Sequence, residues 1–445
     1  MTDRSDSDLI RRLTEYLHGY STYPSSGEPS PQRPPARGHR AVAFAATGLV
    51  AVLAAAVIVI GFAAGHGNGG SRHPLAAIPS ATGTASPAIT AAPSGGLTTP
   101  STGPTATPTV APTPASTPTP GQVGSAVETY RLPSPGEGQQ VNAIIAGPNG
   151  ETWFGWGTPS GTVGGIGSVT TGGAISLFPA SEAVEDLTSG GGYLWTLEAQ
   201  GNQSYIGRWT TAGTLQQQFP IPGVGSFRLV WGPDGALWFT AVTTSAQINP
   251  GGFIGRMTTA GAVTTYQLPA SLSAEAAQTI VVGPDGALWF DVPMAASIGR
   301  ITMAGTVSVY PIPNAMNEGV AWNDHGLTVG PDGALWETWA ANNELVRIAV
   351  DGSMEEFPLT GCATAGAGDI TAGPDGNLWV TVQAINAPAV CSVSTAGTVG
   401  AVYPLTGIIP ANTYPTVGAS GPDGDLWFGV VLGDIASLDP SIPSS

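Results

Sequence analysis

The stretch TIVVGPDGALWFDV, residues 279–292, decides how this chain folds. Two short runs rich in β-branched and aromatic residues flank a Gly-Pro-Asp-Gly punctuation. Runs of that length bounded by Gly and Pro read as strands, and the Asp-Gly pair supplies the chemistry of a tight turn. Further along, SIGRITM (297–303) reads as a third strand and TVSVYPIP (306–313) as a fourth, after a turn at Ala304 and Gly305. A helical reading fails because no part of this unit sustains apolar spacing over more than two turns.

The same phrase recurs along the chain. It reads GPNGETWF at 147, GPDGALWF at 232 and 283, GPDGALWE at 330, GPDGNLWV at 373 and GPDGDLWF at 421, with a degenerate GGGYLW at 190. The tryptophans Trp153, Trp195, Trp238, Trp289, Trp336, Trp379 and Trp427 are spaced by 42, 43, 51, 47, 43 and 48 residues. A period of roughly 40–50 residues is that of a four-stranded propeller blade. The last copy ends at IASLDP (435–440) without a fourth strand, whereas VETYRLP (127–133) precedes the first copy as a strand with no blade of its own. The expectation is an all-β, seven-bladed β-propeller over 127–440, the N-terminal strand completing the last blade so that no open edge remains.

The rest of the chain is of a different kind. Residues 41–64 carry no charge; as a helix they would span about 36 Å, enough for a hydrocarbon core of about 30 Å. Arg33, Arg37 and Arg40 precede this run and only Arg72 follows closely. The positive-inside rule therefore puts the tail 1–40 in the cytoplasm and the propeller on the outer side of the cell membrane. A cleaved signal peptide is the rival reading, against which stand the long leader and the long apolar run. In the tail, Leu9, Leu13, Tyr16, Leu17 and Tyr20 share a helical stripe that would suit a partner or the membrane surface. Residues 65–126 are Pro, Thr, Ser, Ala and Gly without acidic or aromatic side chains, and read as a disordered, extended stalk; 441–445 read as a short tail.

The chain has no lysine. From residue 127 onward six arginines face 25 acidic residues, a net charge near −19. Such a field excludes nucleic acid as a partner and favours cations or neutral ligands. The propeller is expected to be monomeric. Cys362 and Cys391 fall on one face of one blade, where an oxidising compartment would let them form a disulfide.

The phrases IGRMTTAGAVTTYQLP (254–269) and VVGPDGALWF (281–290) resemble the repeats of streptogramin B lyase, also called virginiamycin B lyase. The resemblance covers about 127–440. It implies a propeller enzyme that linearises a cyclic depsipeptide antibiotic by elimination at its ester, with Mg²⁺, two histidines on successive blades and nearby glutamates. Position by position, His325 matches a histidine slot and Glu198, three residues after Trp195, a carboxylate slot; these are the implied catalytic residues. The flanking histidine slots hold Gln278 and Gly368, the glutamate position two before His325 is Asn323, and no histidine other than His325 follows residue 73. A two-histidine site cannot be built from this domain.

Other candidates come from the residues themselves. His325 titrates near neutrality and would serve as a general base if Asp324, Asp369 or Glu185 approached it. Glu185, Asp186, Glu198, Asp324 and Asp369 fall at or near strand ends on one expected face, where carboxylates from several blades could hold Mg²⁺ or Ca²⁺, or simply be solvated. Trp156 and Trp339 occupy the position three after the repeat tryptophan, and Trp322 and Phe227 lead into inner strands on the same face; such rings either offer stacking platforms for a ligand or plug the space between blades. The aspartates of the Pro-Asp-Gly turns read as turn formers. Arg208, Arg256, Arg300 and Arg347, recurring in third strands, read as inter-blade contacts.

Three functional readings follow. The first is a membrane-tethered, extracytoplasmic propeller binding a small-molecule, glycan or peptide ligand. The second is a Mg²⁺-dependent lyase with a reduced catalytic set, and the third a scaffold for other envelope proteins.

Overall fold

A computed structural model of the protein describes residues 126–132, 139–158, 161, 163–200, 203–222, 225–243, 251–269, 271–272, 276–313, 326–340, 342–362 and 366–444. The expected cytoplasmic tail and membrane segment lie outside the described residues, as does all of the stalk but its last residue. Among the described residues, no helix is long and apolar enough to cross a membrane. The described chain forms seven four-stranded antiparallel sheets, with one single-turn 3-10 helix at Pro293–Ala295.

Blade 4 shows the plan. Its strands are Ile280–Val282, Leu288–Val292, Ser297–Ile301 and Val307–Pro311, paired in chain order. The Pro-Asp-Gly turn joins the first two, with Gly286 at φ +73°, a conformation that L side chains rarely adopt. The inner strands of the seven blades are Gln140–Ala146, Ala183–Gly190, Gly225–Trp231, Ile280–Val282, Leu327–Val329, Ala367–Ala372 and Pro415–Ser420. Each contacts the inner strands of the blades before and after it, and the first contacts the seventh, so they form a closed ring around a channel.

The ring closes as the sequence implies. Val127–Arg131 pairs antiparallel with the third strand of blade 7, Val127 opposite Leu438 and Arg131 opposite Asp434. Tyr130 stacks on Trp427 with ring centroids 5.3 Å apart. The C-terminal tail turns back on blade 6, where the Tyr403 hydroxyl donates to Ile442 O at 2.7 Å.

The repeat tryptophans hold blade to blade. Trp238 of blade 3 packs with Leu288, Phe290 and Val292 of blade 4, and Trp427 of blade 7 with Phe154 of blade 1. Each ring of this size buries about 150–250 Å², on the order of 4–6 kcal/mol of apolar burial. The indole N–H finds its acceptor at home: Trp238, Trp289, Trp336 and Trp379 donate to the aspartates of their own turns at 3.1, 3.0, 3.0 and 3.0 Å. The third-strand arginines depart from expectation. Arg256, Arg300 and Arg347 pair with Asp234, Asp285 and Asp332 of their own blades at 2.7, 2.6 and 2.7 Å, so the contact is within a blade and not between blades.

Candidate functional site

Five of the seven inner strands carry a β-bulge near their N-terminal ends. Register shifts between Val141 and Ala143, Val184 and Asp186, Ser226 and Leu229, Ala367 and Ile370, and Pro415 and Gly418. A bulge re-aims the extra side chain and interrupts pairing. Here it sets Asn142, Glu185, Arg228, Asp369 and Thr416, with the apolar Phe227 among them, as a collar at one end of the channel.

The collar is stitched across blades. Asn142 Nδ2 donates to Val184 O at 2.9 Å, Asp186 Oδ2 accepts from Leu229 N at 2.6 Å, and Asp369 Oδ2 accepts from Gly418 N at 2.8 Å. Threonines on second and inner strands continue the stitching: Thr240 donates to Gln278 O at 2.9 Å, Thr338 to Gly368 O at 2.6 Å and Thr416 to Val141 O at 3.4 Å.

Charge concentrates around Arg228. Burial raises the pKa of Glu185, Asp186 and Asp369, that of Asp186 to about 6, and in each case the Arg228 guanidinium opposes the rise. Glu185 and Asp186 belong to blade 2, Arg228 to blade 3 and Asp369 to blade 6, so the guanidinium acts across the channel. Phe227, half-buried, adjoins it on the same bulge. The sequence marks Arg228 only as a charge inside a strand run, RLVW, that leads into the repeat phrase.

The interface between blades 4 and 5 differs from the others. Asp291 Oδ1 accepts from Thr279 N at 2.5 Å and Gln278 N at 3.2 Å. Facing it across the interface is Glu337, fully buried, with neither carboxyl oxygen hydrogen-bonded among the described residues. Burial first and Asp291 second push the Glu337 carboxyl well above the usual range. Glu337 stands where blades 1, 3, 4 and 7 place Phe154, Phe239, Phe290 and Phe428.

The residues named from sequence are distributed as follows. Glu198 is buried inside blade 2, accepting from the Thr196 hydroxyl and from Gln218 Nε2 at 2.5 Å on the outer strand, and so points away from the channel. Burial raises its pKa against those hydrogen bonds. Trp156 and Trp339 are 0% and 2% exposed and fill inter-blade cores, Trp156 donating to Ile166 O at 3.3 Å. Of those two candidate platforms, neither presents a ring face to solvent. His325, Trp322 and Asp324 lie outside the described residues. Cys362 and Cys391 form a disulfide with Cα atoms 5.8 Å apart.

Among the described residues, no group of three or more His, Cys, Asp or Glu side chains converges to hold a metal ion.

The profile of the virginiamycin B lyase family matches residues 125–438. The chain belongs to this family. A solved streptogramin B lyase is 28% identical, with 70% of this chain and 96% of that chain covered at a TM-score of 0.57. Virginiamycin B lyase from Staphylococcus aureus is 26% identical over 70% of this chain and 98% of its own, also at 0.57. A catalytically inactive variant of the Staphylococcus aureus enzyme, solved with Quinupristin, is 25% identical over the same shares and at the same TM-score. No curated protein matches the chain.

Proposed function

We propose that this member of the virginiamycin B lyase family is a ligand-binding propeller held on the outer side of a membrane by residues 41–64, taking a glycan or peptide at the channel collar. The observation that carries the reading is Arg228 set among Glu185, Asp186 and Asp369 beside the half-buried Phe227. Such a set offers a donor fork, carboxyl acceptors and an apolar ring at one end of the channel. The slots three after the repeat tryptophan support binding over elimination: they hold Trp156, Ala241, Val292, Trp339, Val382 and Val430, and the one acid, Glu198, is hydrogen-bonded inside its blade. The anchor rests on the uncharged 41–64 run and the arginines that precede it.

The near full-length coverage of the solved lyases supports a second reading, a lyase with a reduced residue set. One experiment separates the two. Full-length protein is incubated with Quinupristin, with and without Mg²⁺, and both binding and ring opening are followed. The binding reading expects saturable association weakened at least tenfold by Arg228→Ala, with no linear product. Mg²⁺-dependent linear product that disappears in His325→Ala would overturn it.

A further inference from the structure

Blades 3, 4 and 5 each hold a guanidinium in the same receptor. The turn aspartate gives one oxygen to the repeat indole and the other to arginine Nε, at 2.7, 2.6 and 2.7 Å for Arg256, Arg300 and Arg347. The guanidinium carbons stand 5.8, 5.8 and 6.0 Å over the rings of Trp238, Trp289 and Trp336. An aromatic residue of the outer strand backs each ring, Tyr266, Tyr310 and Phe357 lying 5.5, 5.5 and 5.3 Å from their tryptophans.

Blade 6 keeps the receptor and lacks the guanidinium. Asp375 Oδ1 accepts from Trp379 Nε1 at 3.0 Å, and Tyr403 backs the indole at 5.7 Å. The residue opposite Trp379 on the third strand is Ser392, where the other three blades have arginine. A register shift between Cys391 and Val393 then brings small residues of the outer strand beside Ser392, whose hydroxyl accepts from Ala401 N at 2.9 Å. What results is a cleft of about 450 Å³ lined by Asp375, Trp379, Ser392, Gly400, Tyr403 and Pro440 among others.

The chemistry of this cleft is that of a cation receptor. No basic side chain lines it, while Asp375 and Asp439 both act on the Tyr403 hydroxyl through their charge. Asp375 Oδ2, the atom that takes arginine in the other blades, receives Asn377 Nδ2 at 2.8 Å and, as a carboxylate oxygen, has room for a second donor. Blade 7 also has serine, Ser437, in the arginine position, but there both oxygens of Asp423 take Trp427 Nε1, at 3.2 and 3.1 Å, so neither is left to a guanidinium alone as in blades 3, 4 and 5. The blade 6 cleft lies at the end of the blade that carries the Pro-Asp-Gly turn, opposite the inner-strand bulges, and so is separate from the collar.

We propose that the blade 6 cleft binds a guanidinium group, its natural occupant being an arginine side chain of a partner polypeptide. Carboxylate pairing and the indole face, which hold an arginine of the same chain three times over, hold one from another molecule here.

The test titrates the full-length protein with N-acetyl-arginine amide and with its neutral isostere N-acetyl-citrulline amide, read by saturation-transfer NMR and calorimetry. Saturable binding of the arginine compound is expected, with the citrulline compound weaker by about tenfold or more, the loss of one charge-assisted hydrogen bond. Asp375→Asn should weaken arginine binding by about tenfold. Ser392→Arg supplies the missing side chain from within and should abolish binding while leaving the melting temperature equal or higher. Absence of saturable arginine binding, equal binding of citrulline, or undiminished binding in a folded Ser392→Arg or Asp375→Asn protein would each overturn the proposal. Collar variants such as Arg228→Ala should leave this binding unchanged, which keeps its outcome distinct from that of the channel.

Discussion

Asp186 Oδ2 in blade 2 accepts a hydrogen bond from Leu229 N in blade 3 at 2.6 Å, so a carboxyl inside the ring is part of how two blades are joined. Burial raises its pKa to about 6, with Arg228 and the Leu229 N–H opposing. A pKa raised by folding means that the fold favours the protonated form. The associated stability is full below the unfolded value of 3.8 and lost as pH rises through about 6. For Asp186 alone this is on the order of 3 kcal/mol, and Glu185, Glu198, Asp369 and Glu337 shift in the same direction. The thermal midpoint should therefore fall between about pH 4 and pH 6, and Asp186→Asn should flatten that slope. A midpoint that rises steadily over this range would contradict the assignment.

The turn aspartates work with the opposite sign. Burial is the largest single influence and raises Asp234, Asp285 and Asp332, but the hydrogen bonds from the tryptophan, the arginine and the turn backbone, with the arginine charge, together outweigh it and hold all three below the usual carboxylate range. Their contribution is present above the unfolded pKa and disappears as pH falls below it. Arg300→Ala should cost about 1–2 kcal/mol by denaturant melting, the worth of a partly exposed ion pair and a cation–π contact. Asp285→Ala should cost more, since it also strands the Trp289 indole N–H and loosens the turn. Part of the Arg300 effect should vanish in high salt.

Glu337 is a defect that can be repaired. A buried carboxyl without a hydrogen bond costs about 1–3 kcal/mol relative to an apolar side chain of similar size. Glu337→Leu should stabilise the protein by about that amount at neutral pH. Phenylalanine, the residue of four other blades, should not help by itself. There the ring rests on a glycine: a Cβ on Gly299 would come 2.1 Å from the Phe290 ring. In blade 5 that place is Val346, paired opposite Glu337. Only the double change Glu337→Phe with Val346→Gly should restore the common packing, a strongly non-additive pair in unfolding experiments.

Ring closure is testable through Tyr130. Its side chain is 7% exposed and stacked on Trp427. Tyr130→Ala should lower stability by about 3–5 kcal/mol, as for other large aromatic truncations in cores. Deletion through residue 131 should leave the outer edge of the 434–438 strand open and drive association, visible by size-exclusion chromatography.

Much of this architecture is legible in the repeat because its determinants are local. The turn, the indole and the aspartate that binds it lie within four residues, so one phrase predicts one corner of a blade. The arginine contacts are not legible in the same way, because their partner is 15 or 22 residues away in the same blade, a distance that only strand pairing closes. The collar was barely legible: bulges at Asn142, Glu185 and Arg228 depend on register, which alternation alone does not reveal. For Trp156 and Trp339 the sequence left platform and plug open, and the neighbouring blade's face decides for burial. Glu337 did carry a signal, a charged residue in a slot that is otherwise phenylalanine, valine or threonine.

The pairing of Val127 with Leu438 also sets a schedule for the ribosome, since the first strand is made 311 residues before its partner. At roughly 5–20 residues per second, that strand waits about 15–60 s during translation with its hydrogen-bonding groups unclaimed. Glu128 and Arg131 place charge on it throughout the delay, which discourages pairing with neighbouring nascent chains until the seventh blade emerges.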